Sequence, residues 1–134
     1  MTLENIGNTD LHLIKCEKIN PYKDTIPIFI KLENQNPTKS IKDRMVHYVV
    51  SKAKEKVSQE TTFVSASSGN TGSSLAYVCK QLNFKCIIVT NTKCSEEKIK
   101  ACRDYGAEVI VGSSEASPDS DEHYQNIAKN LASS

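Results

Sequence analysis

The stretch Asn36-Pro-Thr-Lys-Ser-Ile-Lys-Asp-Arg44 places three basic side chains, Lys39, Lys42 and Arg44, around the predicted start of a helix. A helix N-terminus carries about half a positive charge, so an ammonium group is disfavoured there. Such surroundings favour the neutral amine of a lysine, which is the nucleophile in Schiff-base chemistry. Lys42, about two residues after the candidate cap Ser40, is therefore either a nucleophile or a solvated lysine at a surface helix.

A second chemically informative stretch is Ser65-Ala-Ser-Ser-Gly-Asn-Thr-Gly-Ser-Ser74, which connects a predicted strand to a predicted helix. Its glycines and small side chains allow a ligand to approach the backbone N–H groups, which form an anion site together with the helix dipole. The anion could be a phosphate or a substrate carboxylate. The lysine of a P-loop and the GxGxxG pattern of a dinucleotide site are both absent from the sequence. The alternative is a tight turn whose serines only cap the helix, but a lysine at the neighbouring turn favours the anion site.

Composition limits the function classes that fit this chain. Its 134 residues suit a single domain, and 38% hydrophobic with 25% charged residues permits a packed core. A net charge of +1 without a basic patch argues against nucleic acid as a partner. No apolar run approaches the ~20 residues of a membrane span, and no signal peptide is recognisable. Five cysteines without a CxxC pair predict neither a disulfide scaffold nor a metal site, and a cytoplasmic protein is expected.

Hydrophobic periodicity predicts the elements that position these two turns. Strands are predicted over residues 27–32, 61–64, 85–90 and 107–111. Helices are predicted over residues 41–57, around 75–82, and over 96–105 and 121–131, with Ser40 and Asp43 as a capping box and Gly106 as a C-cap. This alternation predicts an α/β fold with three αβα layers and a small parallel sheet of about four strands, forming one domain over residues 1–134. Ligands bind at the carboxyl ends of such strands, where both turns lie.

Three stretches resemble the fold type II (β-family) pyridoxal-phosphate enzymes, in particular the cysteine synthase and cystathionine β-synthase family. IGNTDL at 6–11 resembles the family's IGNTPL opening. KLENQNPTKSIKDR at 31–44 resembles its lysine segment, and SSGNTG at 67–72 its TSGNTG loop. The run SPDSDEHYQNIAKNLA at 117–132 is similar, less specifically, to the cystathionine β-synthase branch. The resemblance spans nearly the whole chain in the family's order, so the chain is expected to form the N-terminal half of that architecture.

The resemblance implies a role for individual residues. Lys42 would be the catalytic lysine that binds pyridoxal phosphate covalently and, once released, exchanges the α-proton of the substrate. Asn70 would donate a hydrogen bond to the 3′ oxygen of the cofactor. The substrate carboxylate would be held by the loop of Ser67, Ser68, Gly69, Asn70 and Thr71. The implied reaction is β-replacement on a serine-type amino acid, in which a thiol replaces the leaving group at Cβ during cysteine or cystathionine biosynthesis. The implied partners are the amino acid, the thiol, and a second copy or a full-length relative.

The sequence departs from the family pattern at several positions. Asp10 replaces a proline, Ser65-Ala66-Ser67 replaces Glu-Pro-Thr, and Lys39 stands where glycine is usual. Lys39 could repel a cation near the site, attract an anion, or face water. After Gly72 only two glycines remain, so the glycine-rich loop that holds the cofactor phosphate is absent from this chain.

Family members are considerably longer, and residues 1–32 are expected to pack on a large domain that lies outside this chain. Three hypotheses follow. The chain is a fragment or one piece of a β-replacement enzyme, which alone would be inactive. Alternatively, it is a truncated, non-catalytic paralogue that binds a small anion or amino acid, or pairs with a relative. The third is a generic phospho-acceptor or nucleotide-binding domain, but this chain lacks both the acidic cluster and the glycine fingerprint of such domains.

Overall fold

A parallel three-stranded sheet forms the centre of the fold. The computed structural model describes residues 2–133, so Met1 and Ser134, the two ends of the predicted domain 1–134, lie outside the described residues. The sheet consists of β3 (Thr62–Ala66), β4 (Lys85–Asn91) and β5 (Glu108–Gly112), in the order β3-β4-β5. All three are short, largely covered strands rich in β-branched residues, as expected for a parallel sheet. The predicted α/β class is confirmed.

The hydrophobic run at residues 27–32 does not join this sheet. Within it, β2 (Phe29–Lys31) pairs antiparallel with β1 (Leu11–Leu13) to form a separate two-stranded ribbon. The parallel sheet therefore has three strands in the described part of the chain, rather than about four. All three β2 residues are exposed, so the run lacks the two covered faces that a strand of a parallel sheet requires. Hydrophobicity alone indicated a strand but did not specify its partner.

Four helices complete the layers: α1 (Lys42–Lys54), α2 (Asn70–Gln81), α3 (Glu96–Asp104) and α4 (Tyr124–Ser133). Helices α2 and α3 contact each other and pack on one face of the sheet, α4 packs across the other, and α1 packs on α2. This confirms the predicted αβα arrangement. The core lies between α1, α2 and the sheet, and its central side chains include Val46, Val50, Val78 and Ile88. None of the described helices has the length and apolarity needed to cross a membrane.

The ends of the helices confirm one predicted cap and correct another. Gly106 follows α3 at φ +86°, the left-handed conformation that glycine adopts without a Cβ penalty. At the start of α1, the Ser40 hydroxyl accepts a hydrogen bond from the Lys42 N–H at 3.1 Å. The predicted capping box is wrong in its second half, because the Asp43 side chain bonds to Thr38 and Ser74 instead of Ser40.

Candidate functional site

The predicted catalytic lysine occupies the first position of a helix. Lys42 begins α1, directly after the loop that contains Lys39 and Ser40. Its side chain is exposed, and its amine has no hydrogen-bond or ion-pair partner among the described residues. Lys39 has φ +60°, a left-handed backbone conformation that is unfavourable for a side chain with a Cβ. This backbone conformation explains why the family usually has glycine at this position. Lys39 adopts the same turn at a cost in folding free energy.

A buried carboxylate joins this loop to the next helix. Asp43 has no exposed surface, and its Oδ2 accepts a hydrogen bond from the Thr38 N–H at 2.8 Å. Its Oδ1 accepts hydrogen bonds from the hydroxyls of Thr38 and Ser74, the latter over 2.5 Å. Ser74 lies one helical turn after Asn70, the first residue of α2. The carboxylate therefore holds the start of α1, with Lys42, beside the start of α2.

The second predicted site element is the loop that precedes α2. Ser67 organises this loop: its N–H donates to the Val89 carbonyl at 2.9 Å, and its hydroxyl oxygen accepts from the N–H groups of Gly69 and Gly72 at 3.3 and 3.0 Å. The hydroxyl of Ser67 is thus engaged within the loop. We therefore expect Ser67 to act by shaping the loop for a ligand, not by donating its own hydroxyl hydrogen to one.

Three backbone N–H groups of this loop remain available to a ligand. Among the described residues, the N–H groups of Ser68, Asn70 and Thr71 have no acceptor. They lie at the N-terminus of α2, where the helix dipole also favours negative charge. Gly69 leaves the approach open, because a Cβ built at this position meets no atom within 4 Å. These features suit an anion, and anion binding at this loop stays a prediction.

Gly72 serves packing beneath the loop. A Cβ at this position would lie 3.1 Å from Cγ2 of Ile88 and 3.4 Å from Cβ of Ser67. The first distance is shorter than ordinary van der Waals contact, so a larger residue would push α2 away from β4 or displace Ser67. The absence of a side chain at Gly72 thus keeps the loop close to the carboxyl end of the sheet.

The opening segment is tied to the lysine segment by a polar network. The Arg44 guanidinium donates to both carboxylate oxygens of Glu33, to the Gly7 carbonyl at 3.0 Å and to the Thr9 hydroxyl at 3.0 Å. The Gly7 N–H donates to Oδ1 of Asn36 at 2.8 Å. Hydrogen bonding to Arg44 lowers the pKa of the Glu33 carboxyl, and the Asn36 amide adds to this effect. Two stretches that are far apart in sequence, 6–11 and 31–44, are thereby joined in one structural unit.

The fold thus brings together the elements that the sequence singled out. Lys42 lies at the start of α1, and Ser67, Ser68, Gly69, Asn70 and Thr71 lie at the start of α2, held together through Asp43. Sequence reasoning missed the roles of Thr38 and Ser74 in this connection. The only signal for them was their position within the stretches 31–44 and 65–74, and the hydrogen bond from Ser74 to Asp43, 31 positions apart, leaves no local pattern. No group of three metal-binding side chains occurs within residues 2–133.

Comparison with known proteins identifies the family. Residues 2–134 match the family model described as "Pyridoxal-phosphate dependent enzyme". The chain is 36% identical over 132 residues to a cystathionine beta-synthase of Apis mellifera, covering 96% of this chain and 26% of that protein. It is 41% identical over 106 residues to cysteine synthase B of Campylobacter jejuni subsp. jejuni, covering 78% of this chain and 33% of that protein. The chain belongs to the pyridoxal-phosphate dependent enzyme family.

Solved structures agree with this assignment. A crystal structure of O-ureido-L-serine synthase superimposes with a TM-score of 0.79 at 26% identity, covering 98% of this chain and 40% of the other. A hydrogen sulfide-producing enzyme from Fusobacterium nucleatum superimposes with a TM-score of 0.73 at 35% identity, covering 84% of this chain and 37% of the other. The chain therefore spans about a quarter to two fifths of the length of these relatives.

The residues present fit part of the pyridoxal phosphate site of this family. The Lys42 amine is exposed and would be accessible to the aldehyde of the cofactor, and the open N–H groups of the 68–71 loop suit a carboxylate. When bound, the cofactor supplies an electron sink for carbanion chemistry at Cα.

Proposed function

We propose that this chain supplies the lysine and the substrate loop of a pyridoxal-phosphate-dependent β-replacement enzyme of the cysteine synthase and cystathionine β-synthase type. The observation that carries this proposal is the hydrogen bond from Ser74 to Asp43, which holds the Lys42 end of α1 beside the end of α2 where the open N–H groups lie. The likeness to a cysteine synthase and a cystathionine beta-synthase at 41% and 36% identity supports the reaction class. A serine-type amino acid and a thiol are the proposed substrates.

In this proposal each group acts on a stated atom. The N–H groups of Ser68, Asn70 and Thr71 hold the substrate carboxylate and so orient the Cα–H bond. The Lys42 amine, once released from the cofactor, removes the α-proton and later returns a proton to Cα. Asn70 donates its side-chain amide hydrogen to the 3′ oxygen of the cofactor. Asp43 touches no reacting atom; it positions the two loops relative to each other.

We propose that catalysis requires further residues beyond those of this chain, supplied by the remainder of the protein or by a full-length relative. Exposed apolar side chains on one side of α1, Ile41, Met45, Tyr48 and Val49, support this part of the proposal. An apolar groove of about 210 Å³ between α1 and β3 adjoins them and reaches Thr71. Apolar surface of this kind typically packs against another domain or subunit. We extend the proposal to the opening segment, residues 1–32, whose β2 side chains are also exposed.

The proposal is tested by reductive trapping of the cofactor. Purified chain is mixed with pyridoxal phosphate, reduced with borohydride, digested, and analysed by mass spectrometry. We expect Lys42 to be modified well above Lys39, which is exposed three positions away and provides an internal control. Lys42→Arg should remove this modification, and Lys39→Arg should leave it unchanged. Equal modification of all exposed lysines would overturn the assignment of Lys42.

The same apolar surface favours a second candidate, a non-catalytic module that binds an amino acid and pairs with a relative. The two functions differ in one measurement. The chain is co-expressed with the C-terminal two thirds of a cysteine synthase relative, and β-replacement is assayed with Lys42→Arg as the control. Activity that depends on Lys42 supports the enzyme. A stable but inactive complex, with amino-acid binding that is unchanged in Lys42→Arg, supports the module.

A further inference from the structure

A small cavity lies behind the substrate loop, between the carboxyl end of β4 and the start of α3. Its volume is about 10 Å³, which is enough for one water-sized group. Two polar side chains, Thr90 and Lys98, and two thiols, Cys94 and Cys102, line it together with the backbone of Ser68. None of these four side chains has a role in the proposed chemistry at Lys42.

Thr90 carries a buried hydroxyl that lacks a partner. The residue is 1% exposed, and its Oγ1 has no hydrogen-bond partner among residues 2–133. Side chains alternate along a strand, so Thr90 shares a face of β4 with Ile88, which packs into the core on the side of α2 and α3. The cavity lies on that same side and is lined by both residues. A buried hydroxyl without an acceptor is unfavourable, so an acceptor atom in the cavity would be stabilised.

Cys94 brings a thiol to the same cavity. It is partly buried, and its Sγ lies 3.5 Å from the carbonyl oxygen of Ser68, to which the thiol donates. Lys98 lines the same cavity. Two acidic residues of the first turn of α3, Glu96 and Glu97, line a separate surface depression instead. Cys94 therefore combines partial access with room for one additional atom in a cavity that the unpaired Thr90 hydroxyl also lines.

The other cysteines lack this combination. Cys102 lines the cavity too, but it is 4% exposed, and burial raises the pKa of its thiol, which opposes formation of the reactive thiolate. Cys16 is exposed, and its thiol makes no hydrogen bond within the described part of the chain. Cys16 thus provides an internal reference for the reactivity of an ordinary exposed thiol.

We propose that Cys94 is a site of reversible oxidation by hydroperoxides, and that the oxygen added to its sulfur occupies the cavity and accepts a hydrogen bond from Thr90. The thiolate sulfur attacks one peroxide oxygen, so that an S–O bond forms and the O–O bond breaks. The sulfur loses two electrons, and the departing hydroxide, or alkoxide of an organic hydroperoxide, takes up a proton to become water or an alcohol. A low-molecular-weight thiol reverses the change: it displaces the oxygen as water to give a mixed disulfide, and a second thiol restores Cys94.

Oxidation would act on the loop through Ser68. The oxidised sulfur no longer donates a hydrogen to the Ser68 carbonyl, so one bond that holds the 67–71 loop against the turn before α3 is lost. Control of amino-acid binding by this route rests on the proposed function, because that function assigns the substrate carboxylate to the loop. The oxidation itself does not, because it requires only Cys94, Thr90 and the cavity.

The first experiment measures oxidation at single residues. The reduced chain is treated with hydrogen peroxide in the presence of a cyclic 1,3-dione that traps sulfenic acids, and labelling of Cys94 and Cys16 is followed by mass spectrometry. We expect Cys94 to be labelled at least about fivefold faster than Cys16, because Thr90 would donate a hydrogen bond to the transferred oxygen. Thr90→Val should reduce the Cys94 rate severalfold, whereas Thr90→Ser, which keeps the hydroxyl, should preserve it. Thr92→Val is the matched control, because the Thr92 hydroxyl is exposed and bonds to Ser114 at 2.6 Å.

Two results would overturn the proposal. One is a Cys94 rate no higher than that of Cys16, which can be read on the unmodified chain even if a variant fails to fold. The other is a Cys94 rate that is the same in Thr90→Val and Thr92→Val.

The link to the loop is measured by hydrogen exchange at the Gly69 and Gly72 amides, which both bond to Ser67. Oxidised chain should exchange these amides faster, and unchanged exchange at full Cys94 oxidation would refute that link. Neither readout requires pyridoxal phosphate, so failure here is distinct from failure of the proposed function.

Discussion

The hydroxyl of Ser74 on α2 donates a hydrogen bond to the carboxylate of Asp43 on α1 over 2.5 Å, and neither residue has exposed surface. Two further donors, the N–H and the hydroxyl of Thr38, use the same carboxylate. One buried anion is thus satisfied by three hydrogen bonds from two different segments, which is the arrangement that a buried charge requires. The Asp43 side chain therefore helps to hold the lysine loop beside the 67–71 loop, in addition to the packing of α1 on α2.

Asp43→Asn should destabilise the chain by about 1–3 kcal/mol, because an amide offers one acceptor oxygen and leaves at least one buried donor unpaired. The measurement is urea unfolding followed by circular dichroism. The control is Asp104→Asn, since that carboxylate is 58% exposed and pairs with Lys100 on the surface, where ion pairs contribute little. Similar unfolding midpoints for the two variants would show that the Asp43 carboxylate does not join the helices.

Lys39→Gly should stabilise the protein. The left-handed backbone at φ +60° destabilises a folded chain by about 1–2 kcal/mol when the residue has a Cβ. Glycine removes this cost, but its greater freedom in the unfolded chain offsets about 0.5–1 kcal/mol of the gain. The matched variant is Asn83→Gly at φ +58°, where the gain should be smaller because asparagine tolerates this conformation. Thermal unfolding compares the two variants. A lower melting temperature for Lys39→Gly would mean that the Lys39 side chain makes a stabilising contribution of its own.

The helices and the parallel strands could be predicted from the sequence because their signals are local. Helix α1 was predicted at residues 41–57 and occupies 42–54, and β4 was predicted at 85–90 and occupies 85–91. Helix α1 contains apolar residues at a helical period, and β4 contains a continuous apolar run, which is typical of a strand covered on both faces. The pairing of β2 with β1 could not be predicted, since β1 is a three-residue strand with no periodic signal.

The site was predictable to a similar degree. The lysine segment and the loop at 67–72 were recognisable because each is a short motif of unusual composition. The hydrogen bond that joins them, from Ser74 to Asp43, connects segments brought together only by folding. The cavity lined by Thr90 and Cys94 could not be predicted from the sequence for the same reason. It is enclosed by the end of β4, the start of α3 and the loop at Ser68, which only folding brings together.

The stability contributed by Glu33 should depend on pH. Its pKa is lowered below 4.5 in the folded chain, first by the hydrogen bond from Arg44. A carboxyl with a lowered folded-state pKa stabilises the fold above its unfolded pKa, and this contribution disappears as pH falls through the folded-state value. Wild type should therefore exceed Glu33→Gln in stability at pH 7, and the difference should shrink as the pH falls below about 4. Urea unfolding at several pH values measures it, and a difference that is constant with pH would contradict the ionic role.

Val49→Lys should reduce association of the chain without unfolding it. Val49 is 56% exposed on the apolar side of α1, so the substitution removes little buried surface, and lysine has a higher helix propensity than valine. A charge in this surface opposes packing against an apolar partner, because its desolvation is costly. The control is Val111→Lys, since Val111 is 44% exposed on β5, away from α1. Light scattering over a range of concentrations should show weaker self-association for Val49→Lys alone. Equal effects from both variants would indicate that added charge, and not the α1 surface, controls association.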